Sequence, residues 1–260
     1  MNFLDSISRE QFANTIPTSA KLLEVGPYAK PQFRRPDYNV TYADISSIED
    51  IRANAHKYGP VDESLIPDQI DIIITPEARP TFTTDLKFDC IFSSHNIEHQ
   101  PDIVNHLKEM ASVAKDGNTK FFLAVPDKRY CFDHFQAPSL VTEMIGAHWD
   151  GIRRNRYSKF LQTELYRAHN NPFQHWQNDS GPYPYEQDIT PEWIDKVKDL
   201  MAQADKLKDE YVDTHAWQFT PNSFAHSVQT LYALGLQPWK VLAVFETQFG
   251  ANEFFAILEL

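Results

Sequence analysis

The segment Glu24-Val25-Gly26-Pro27-Tyr28 sets a carboxylate and a glycine directly after the apolar pair Leu22-Leu23, and Asp44 closes a second apolar run, Tyr38 to Ala43. That arrangement suits a nucleoside. A glycine lets the backbone approach a ligand closely, and a carboxylate at the end of the next strand can hold both ribose hydroxyls. Glu24, Gly26, Tyr28, Asp44 and the following Ile45 are the candidate contacts. Dinucleotide sites carry three glycines in this turn, whereas here Gly26 is followed by Pro27 and then Pro31. So few free N–H groups cannot cradle a pyrophosphate, and a nucleoside ligand without one fits better. Further polar side chains gather in three places: Ser94 and His95 after an apolar run, Asp127 to His134 after another, and His215 with Trp217.

These residues need a scaffold that ends several strands at one edge. Short, nearly continuous apolar runs at Lys21–Val25, Asn39–Ala43, Ile70–Ile74, Phe88–Ser93 and Thr119–Val125 read as strands covered on both faces. The clearest helix between them spans Asp102 to Ala114, with Ile103, Leu107, Met110 and Val113 at helical spacing and Asp116-Gly117 as its stop. Alternation lapses from about 140 to 210, a polar and largely helical insertion with aromatic and proline clusters and a helix from Pro191 to about Tyr211. It resumes with a helix capped by Thr220 and ending at Leu234, then strands Lys240–Phe249 and Glu253–Leu260 joined at Gly250-Ala251-Asn252, a hairpin signal. The expected fold is one α/β domain over 1–260, Rossmann-like, with a mostly parallel seven-stranded sheet ending in an antiparallel hairpin. Its ligand crevice would lie at the strands' C-terminal ends.

Composition narrows the function. A net charge of −12 without a Lys/Arg block gives no footprint for nucleic-acid backbone. No apolar run approaches the ~18 residues of a membrane span. The two cysteines, Cys90 and Cys131, make no disulfide framework, and Met1 to Phe12 lacks the pattern of a signal peptide. A cytoplasmic chain is expected.

Phe88-Asp89-Cys90-Ile91-Phe92-Ser93-Ser94-His95-Asn96-Ile97-Glu98-His99 resembles the fourth-strand motif of class I S-adenosylmethionine-dependent methyltransferases, and Lys115-Asp116-Gly117-Asn118 is similar to that family's Lys-Pro-Gly-Gly turn. Val125-Pro126-Asp127-Lys128-Arg129-Tyr130 and Asp213-Thr214-His215-Ala216-Trp217 resemble a bacterial subgroup with a Gly-Pro first loop, often associated with glycan modification. The likeness covers 21–149 and 211–260 and departs from the family at its glycine loop, where one glycine remains. It implies S-adenosylmethionine as cofactor, held by Glu24, Gly26, Tyr28, Asp44, Ile45, Ser94 and His95. The implied reaction is methylation of a sugar or glycan-type hydroxyl on a small molecule or glycan. Such an acceptor needs a base, for which a neutral imidazole suits pH 7. His134, His95 and His215 are the candidates in that order, with Asp127 as orienting partner or alternative base. Arg129, Tyr130, Asp133 and Trp217 would contact the acceptor, and the insertion would serve as a lid or a homodimer surface.

Two other readings remain open. The sparse glycine loop would also suit a methyltransferase-like module that binds a partner without catalysis. His95-Asn96-Ile97-Glu98-His99 spells H-x-x-E-H, an inverted zinc-hydrolase signature that would pair His95 with His99 on a helix. Pro101 leaves that segment little more than one turn, so the expectation is no metal, with His99 oriented by backbone or substrate.

Overall fold

The computed structural model describes residues 2–76, 80–207 and 212–260. Met1 and Tyr211, named above, lie outside them. The strands are β1 (Asn2–Leu4), β2 (Lys21–Val25), β3 (Asn39–Asp44), β4 (Ile72–Ile73), β5 (Cys90–Ser94), β6 (Lys120–Pro126), β7 (Lys240–Phe245) and β8 (Glu253–Glu259). They form one sheet in the order β1-β7-β8-β6-β5-β2-β3-β4. All neighbours run parallel except β8, which is antiparallel to both β6 and β7. This is the expected Rossmann-like fold, widened to eight strands by β1. That short exposed segment pairs with β7 and carries no apolar run to announce it.

Strand alternation splits the core in two. Leu23 and Val25 of β2, with Phe121, Leu123 and Val125 of β6, join a cluster on one face, while Leu22, Phe122 and Ala124 join another on the opposite face. After the short helices α1 (Arg9–Ala13) and α2 (Ile48–Asn54), the larger cluster packs under α3 (Ile103–Ser112) and α8 (Pro221–Ala233), which contribute Leu107, Met110, Phe224, Val228 and Leu231. Both helices begin with side-chain caps. Asp102 accepts the Asn105 N–H, and Thr220 forms a capping box with Ser223. Trp239 is wholly buried and donates its Nε1–H to Leu107 O at 2.8 Å.

The stretch from 140 onward divides by its packing. α4 (Val141–Trp149) sends Met144, fully buried, into the larger core cluster. α5 (Tyr157–Tyr166), α6 (Pro172–Trp176) and α7 (Pro191–Lys206) lie outside that core but are tied to the rest of the chain. Asn155 Nδ2 donates to Thr214 O at 2.9 Å, and Thr163 and Thr214 hydroxyls meet at 3.0 Å. Trp176 stacks on Tyr130 with centroids 3.9 Å apart and donates to Ala251 O at 2.9 Å. β7 ends at Phe245, short of the expected Phe249. Phe249 instead meets Phe173 and Trp176 of α6 at the hairpin tip.

Candidate functional site

The strand order reverses between β2 and β5, whose connections onward to β3 and β6 leave toward opposite sides and open a crevice at the strand ends. A cavity of about 740 Å³ occupies it. In-register pairing of β2 with β3 sets Val25 opposite Ala43, which brings Gly26 beside Asp44. Gly26 N–H donates to Ala43 O at 2.8 Å. Gly26 has φ +73°, and a Cβ there would stand 3.0 Å from Asn96 Nδ2, so only glycine lets the first turn and the loop after β5 approach this closely. Asp44, almost fully buried, accepts the Tyr28 N–H on Oδ2 and the Ser46 N–H on Oδ1, each at 2.9 Å. Burial pushes its carboxyl above the ordinary range while those amides pull it back.

Gly26, Tyr28, Asp44, Ile45 and His95 all line the cavity. Glu24 does not. Its carboxylate takes the Gln32 N–H at 2.7 Å and the Phe33 N–H at 3.1 Å, pinning the turn from behind. Those bonds make it a brace for the loop rather than the ligand contact that the sequence suggested. Burial raises Glu24 to about 7. His95 sits in the left-handed region at φ +48°, and its Nε2 lies 2.9 Å from Glu253 Oε2. Glu253 also accepts from Arg9 Nε and Nη2 along one guanidinium edge, and Arg9 Nη1 donates to Ser94 Oγ at 2.9 Å. Burial alone would raise the Glu253 carboxyl, but His95 and Arg9 hold it below its ordinary value. The Ser94 hydroxyl thus braces Arg9 and is not among the cavity-lining groups.

The segment after β6 turns its polar groups on itself. Asp127 is fully buried, with its oxygens taken by the Arg129 N–H and guanidinium and by Thr247 Oγ1 at 2.6 Å. Arg129 is thereby paired, and the Tyr130 ring is covered by Trp176. His134 Nδ1 bonds Arg129 O at 2.7 Å and its ring stacks on His175. Trp217 is buried and donates to Gln100 O at 2.7 Å. None of these residues lines the cavity. The expected bases His134 and Asp127, and the expected acceptor contacts Arg129, Tyr130 and Trp217, form a braced corner instead. The reason is that a loop of mixed charge satisfies its own groups when it packs beside a strand end.

Asp133 and His215 belong to a separate buried cluster. His215 Nδ1 lies 2.6 Å from Asp133 Oδ2, and its Nε2 points to Glu98 Oε1 at 3.8 Å. His99 Nε2 is 3.6 Å from the same oxygen, and its Nδ1 makes an ion-pair contact with Asp213 Oδ1 at 2.8 Å. Burial works against a charge on His99, but Asp213 and Glu98 lift its pKa above the ordinary value. His95, the partner sequence offered to His99 for zinc, gives its Nε2 to Glu253 at 2.9 Å, with its Nδ1 4.0 Å from Glu98 Oε1.

Sequence reasoning missed the cavity's opposite wall, where α3 presents Asn105, His106 and Glu109 beside Asp102, with Thr81 across from them. Thr81 N–H donates to Glu109 Oε1 at 3.0 Å and Asn105 Nδ2 donates to the same oxygen at 2.8 Å. Asn105, His106 and Glu109, recurring between the core positions Ile103, Val104, Leu107 and Met110, were the available signal.

No family model matches the sequence, and no curated protein does. Among solved structures, the glycopeptide N-methyltransferase MtfA aligns at 17% identity and TM-score 0.34 over 53% of this chain. The match takes in 61% of MtfA, so the chain spans about three fifths of that protein. A SAM-dependent methyltransferase from Methanosarcina mazei aligns at 14% identity and TM-score 0.43 over 98% of both chains. A Rhodobacter sphaeroides protein provisionally described as a Zn-dependent alcohol dehydrogenase aligns at 13% identity and TM-score 0.50, over 98% of this chain and 90% of its own. Likeness at these identities is one of fold.

Proposed function

We propose that the chain is a class I S-adenosylmethionine-dependent methyltransferase acting on a hydroxyl of a sugar or glycan-type acceptor. The observation that carries this reading is the carboxylate of Asp44 at the wall of the switch-point cavity, next to a turn that only Gly26 can make. Each Asp44 oxygen accepts one backbone N–H, which leaves acceptor capacity on both for the two ribose hydroxyls. Beyond Asp44 the lining becomes apolar at Ile45, Ala55, Val61 and Ile74, and Ile45 is 45% exposed there, as suits the face of an adenine. A proline-bearing turn suits a sulfonium ligand better than a pyrophosphate. The fourth-strand motif from Phe88 to His99 adds its resemblance to the same reading.

The reaction is an in-line displacement. A lone pair of the acceptor oxygen forms a bond to the methyl carbon, the carbon–sulfur bond breaks with its electrons left on sulfur, and the oxygen's proton passes to a base. Holding oxygen, methyl and sulfur in line supplies most of the acceleration, roughly 7–11 kcal/mol for well-oriented groups. Of the imidazoles named from the sequence as bases, His95 is the one that lines the cavity. Glu253 holds its Nε2, which leaves Nδ1, 4.0 Å from Glu98 Oε1, as the nitrogen to take the proton. The polar wall of Asp102, Asn105 and Glu109 suits a polyhydroxyl acceptor.

Calorimetric titration of the purified chain with S-adenosylmethionine and S-adenosylhomocysteine tests the cofactor, with equimolar binding expected. A screen of sugar nucleotides and glycans against labelled methyl donor then tests the acceptor class. Failure to bind either cofactor form removes the proposal. Binding with transfer only to amines or carboxylates removes the hydroxyl acceptor alone.

A further inference from the structure

We propose that Glu98, His99 and His215 bind a first-row divalent transition-metal ion at the edge of the cavity. Glu98 Oε1 stands 3.6 Å from His99 Nε2 and 3.8 Å from His215 Nε2, and the three ligand atoms lie within 4.8 Å of one another. A tetrahedral ion with bonds of about 2.1 Å spaces its ligands roughly 3.4 Å apart, so small side-chain shifts close the set. The imidazoles meet edge to face, with ring centroids 4.7 Å apart and planes at 85°, which lets both Nε2 atoms converge without overlap.

Each imidazole is backed by a carboxylate on its other nitrogen. His215 Nδ1 is hydrogen-bonded to Asp133 Oδ2 at 2.6 Å, while His99 Nδ1 makes an ion-pair contact with Asp213 Oδ1 at 2.8 Å. On His215 that bond keeps the proton at Nδ1 and turns the lone pair of Nε2 toward the common point, the arrangement found behind metal-binding histidines. Glu98 supplies the independent observation. Its side chain is wholly buried, and neither carboxylate oxygen has a hydrogen-bond donor among the described residues. Hydrogen bonds from a protonated imidazole to a carboxylate run about 2.7–2.9 Å. Separations of 3.6 and 3.8 Å, and of 4.0 Å to His95 Nδ1, are too long for that, so the buried carboxylate lacks a partner that an ion between these atoms would supply.

The backbone holds the two ligand-bearing segments together. Glu98 O accepts the N–H groups of Ala216 at 2.8 Å and Trp217 at 3.1 Å, and Asn155 Nδ2 donates to Thr214 O. Two imidazoles and one carboxylate favour Zn²⁺, Fe²⁺, Mn²⁺ or Co²⁺ over Mg²⁺ and Ca²⁺, which prefer oxygen throughout. Three protein ligands leave further coordination positions, and His99 lines the cavity. The expectation of no metal rested on too short a helix to pair His95 with His99; His215, from a distant loop, takes the place of His95. Metal binding here is independent of methyl transfer, so either can fail alone.

Tag-free chain purified without chelator is analysed for metal, then stripped with EDTA and titrated with Zn²⁺, Mn²⁺, Co²⁺ and Mg²⁺ by calorimetry and thermal denaturation. Equimolar uptake of Zn²⁺ or Co²⁺, a higher Tm and a visible Co²⁺ absorption band are expected, with Mg²⁺ ineffective. Glu98→Gln and His215→Asn should each lose this uptake, and Asp133→Asn should weaken it by roughly 10–100-fold while leaving the ligands in place. The proposal falls if the stripped parent takes up none of the transition metals, or if Glu98→Gln and His215→Asn both bind like the parent. Should those two variants fail to fold, the parent's uptake and the Asp133→Asn affinity decide the matter.

Discussion

At the scale of single residues, Asp44 makes the sharpest demand. Both its oxygens already carry backbone donors, so removing the carboxylate loses the ribose contact and loosens Tyr28 and Ser46 together. Asp44→Ala is expected to weaken S-adenosylmethionine binding by roughly 1.5–3 kcal/mol by calorimetry, the range for hydrogen bonds to a charged group. His95→Asn should leave that affinity unchanged and lower kcat by roughly 10²–10⁴-fold, with partial recovery at high pH as the acceptor ionises unaided. A rate flat with pH and equal to the parent's would remove the imidazole as base. Gly26→Ala meets two obstacles, a φ of +73° and Asn96 Nδ2 at 3.0 Å. A left-handed non-glycine residue costs about 1–2 kcal/mol, so a loss of at least that size is expected in urea denaturation. Adding Asn96→Ala should relieve only the contact, not the backbone strain. Full recovery in the double variant would show that φ is not the cause.

Among elements, α6 is the joint between insertion and sheet. Trp176 covers Tyr130 on one side and reaches Ala251 O and Phe249 on the other, linking the segment after β6 to the β7–β8 tip. An aromatic pair and a neutral hydrogen bond each contribute about 0.5–1.5 kcal/mol, so Trp176→Ala should cost roughly 1–3 kcal/mol. The loss should be local. Limited proteolysis should cut the variant between 172 and 207 well before the sheet, with cofactor affinity close to the parent's, because α6 contributes nothing to the cavity lining. Faster cleavage throughout the chain would mean that the insertion holds the core together.

Over the whole molecule, the buried brace Glu24 sets a pH dependence. Burial raises its carboxyl from 4.5 to about 7, despite the amides of Gln32 and Phe33 and the charge of Arg9. Between those values the folded chain holds a proton that the unfolded chain releases. Its contribution to stability is therefore greatest below pH 4.5 and declines as pH rises to 7, by an amount on the order of 3 kcal/mol. Glu24→Gln should flatten that decline when unfolding free energy is measured between pH 5 and 7.5, whatever its effect on absolute stability. Identical slopes in parent and variant would assign the pH dependence elsewhere.

Much of this architecture was legible in the sequence because the signals are local. Apolar runs such as Leu22-Leu23 and Phe121 to Val125 alternate between two core clusters, which requires cover on both faces and hence a parallel sheet with crossovers. A residue directly after such a strand must stand at its C-terminal edge, and Gly26, Asp44, Ile45 and His95 reach the cavity for that reason alone. Standing at that edge is not sufficient by itself. Asp127 follows β6 as directly as His95 follows β5, yet its carboxylate, with Arg129 and His134 further along, found partners within the loop and with Thr247. Only the tertiary structure decided which polar groups would meet. His215 and Asp133 are 82 positions apart, and His95 and Glu253 are 158 apart. Pairings at that separation leave no periodicity in the chain; they follow from sheet order and from the demand that each buried charge find a countercharge.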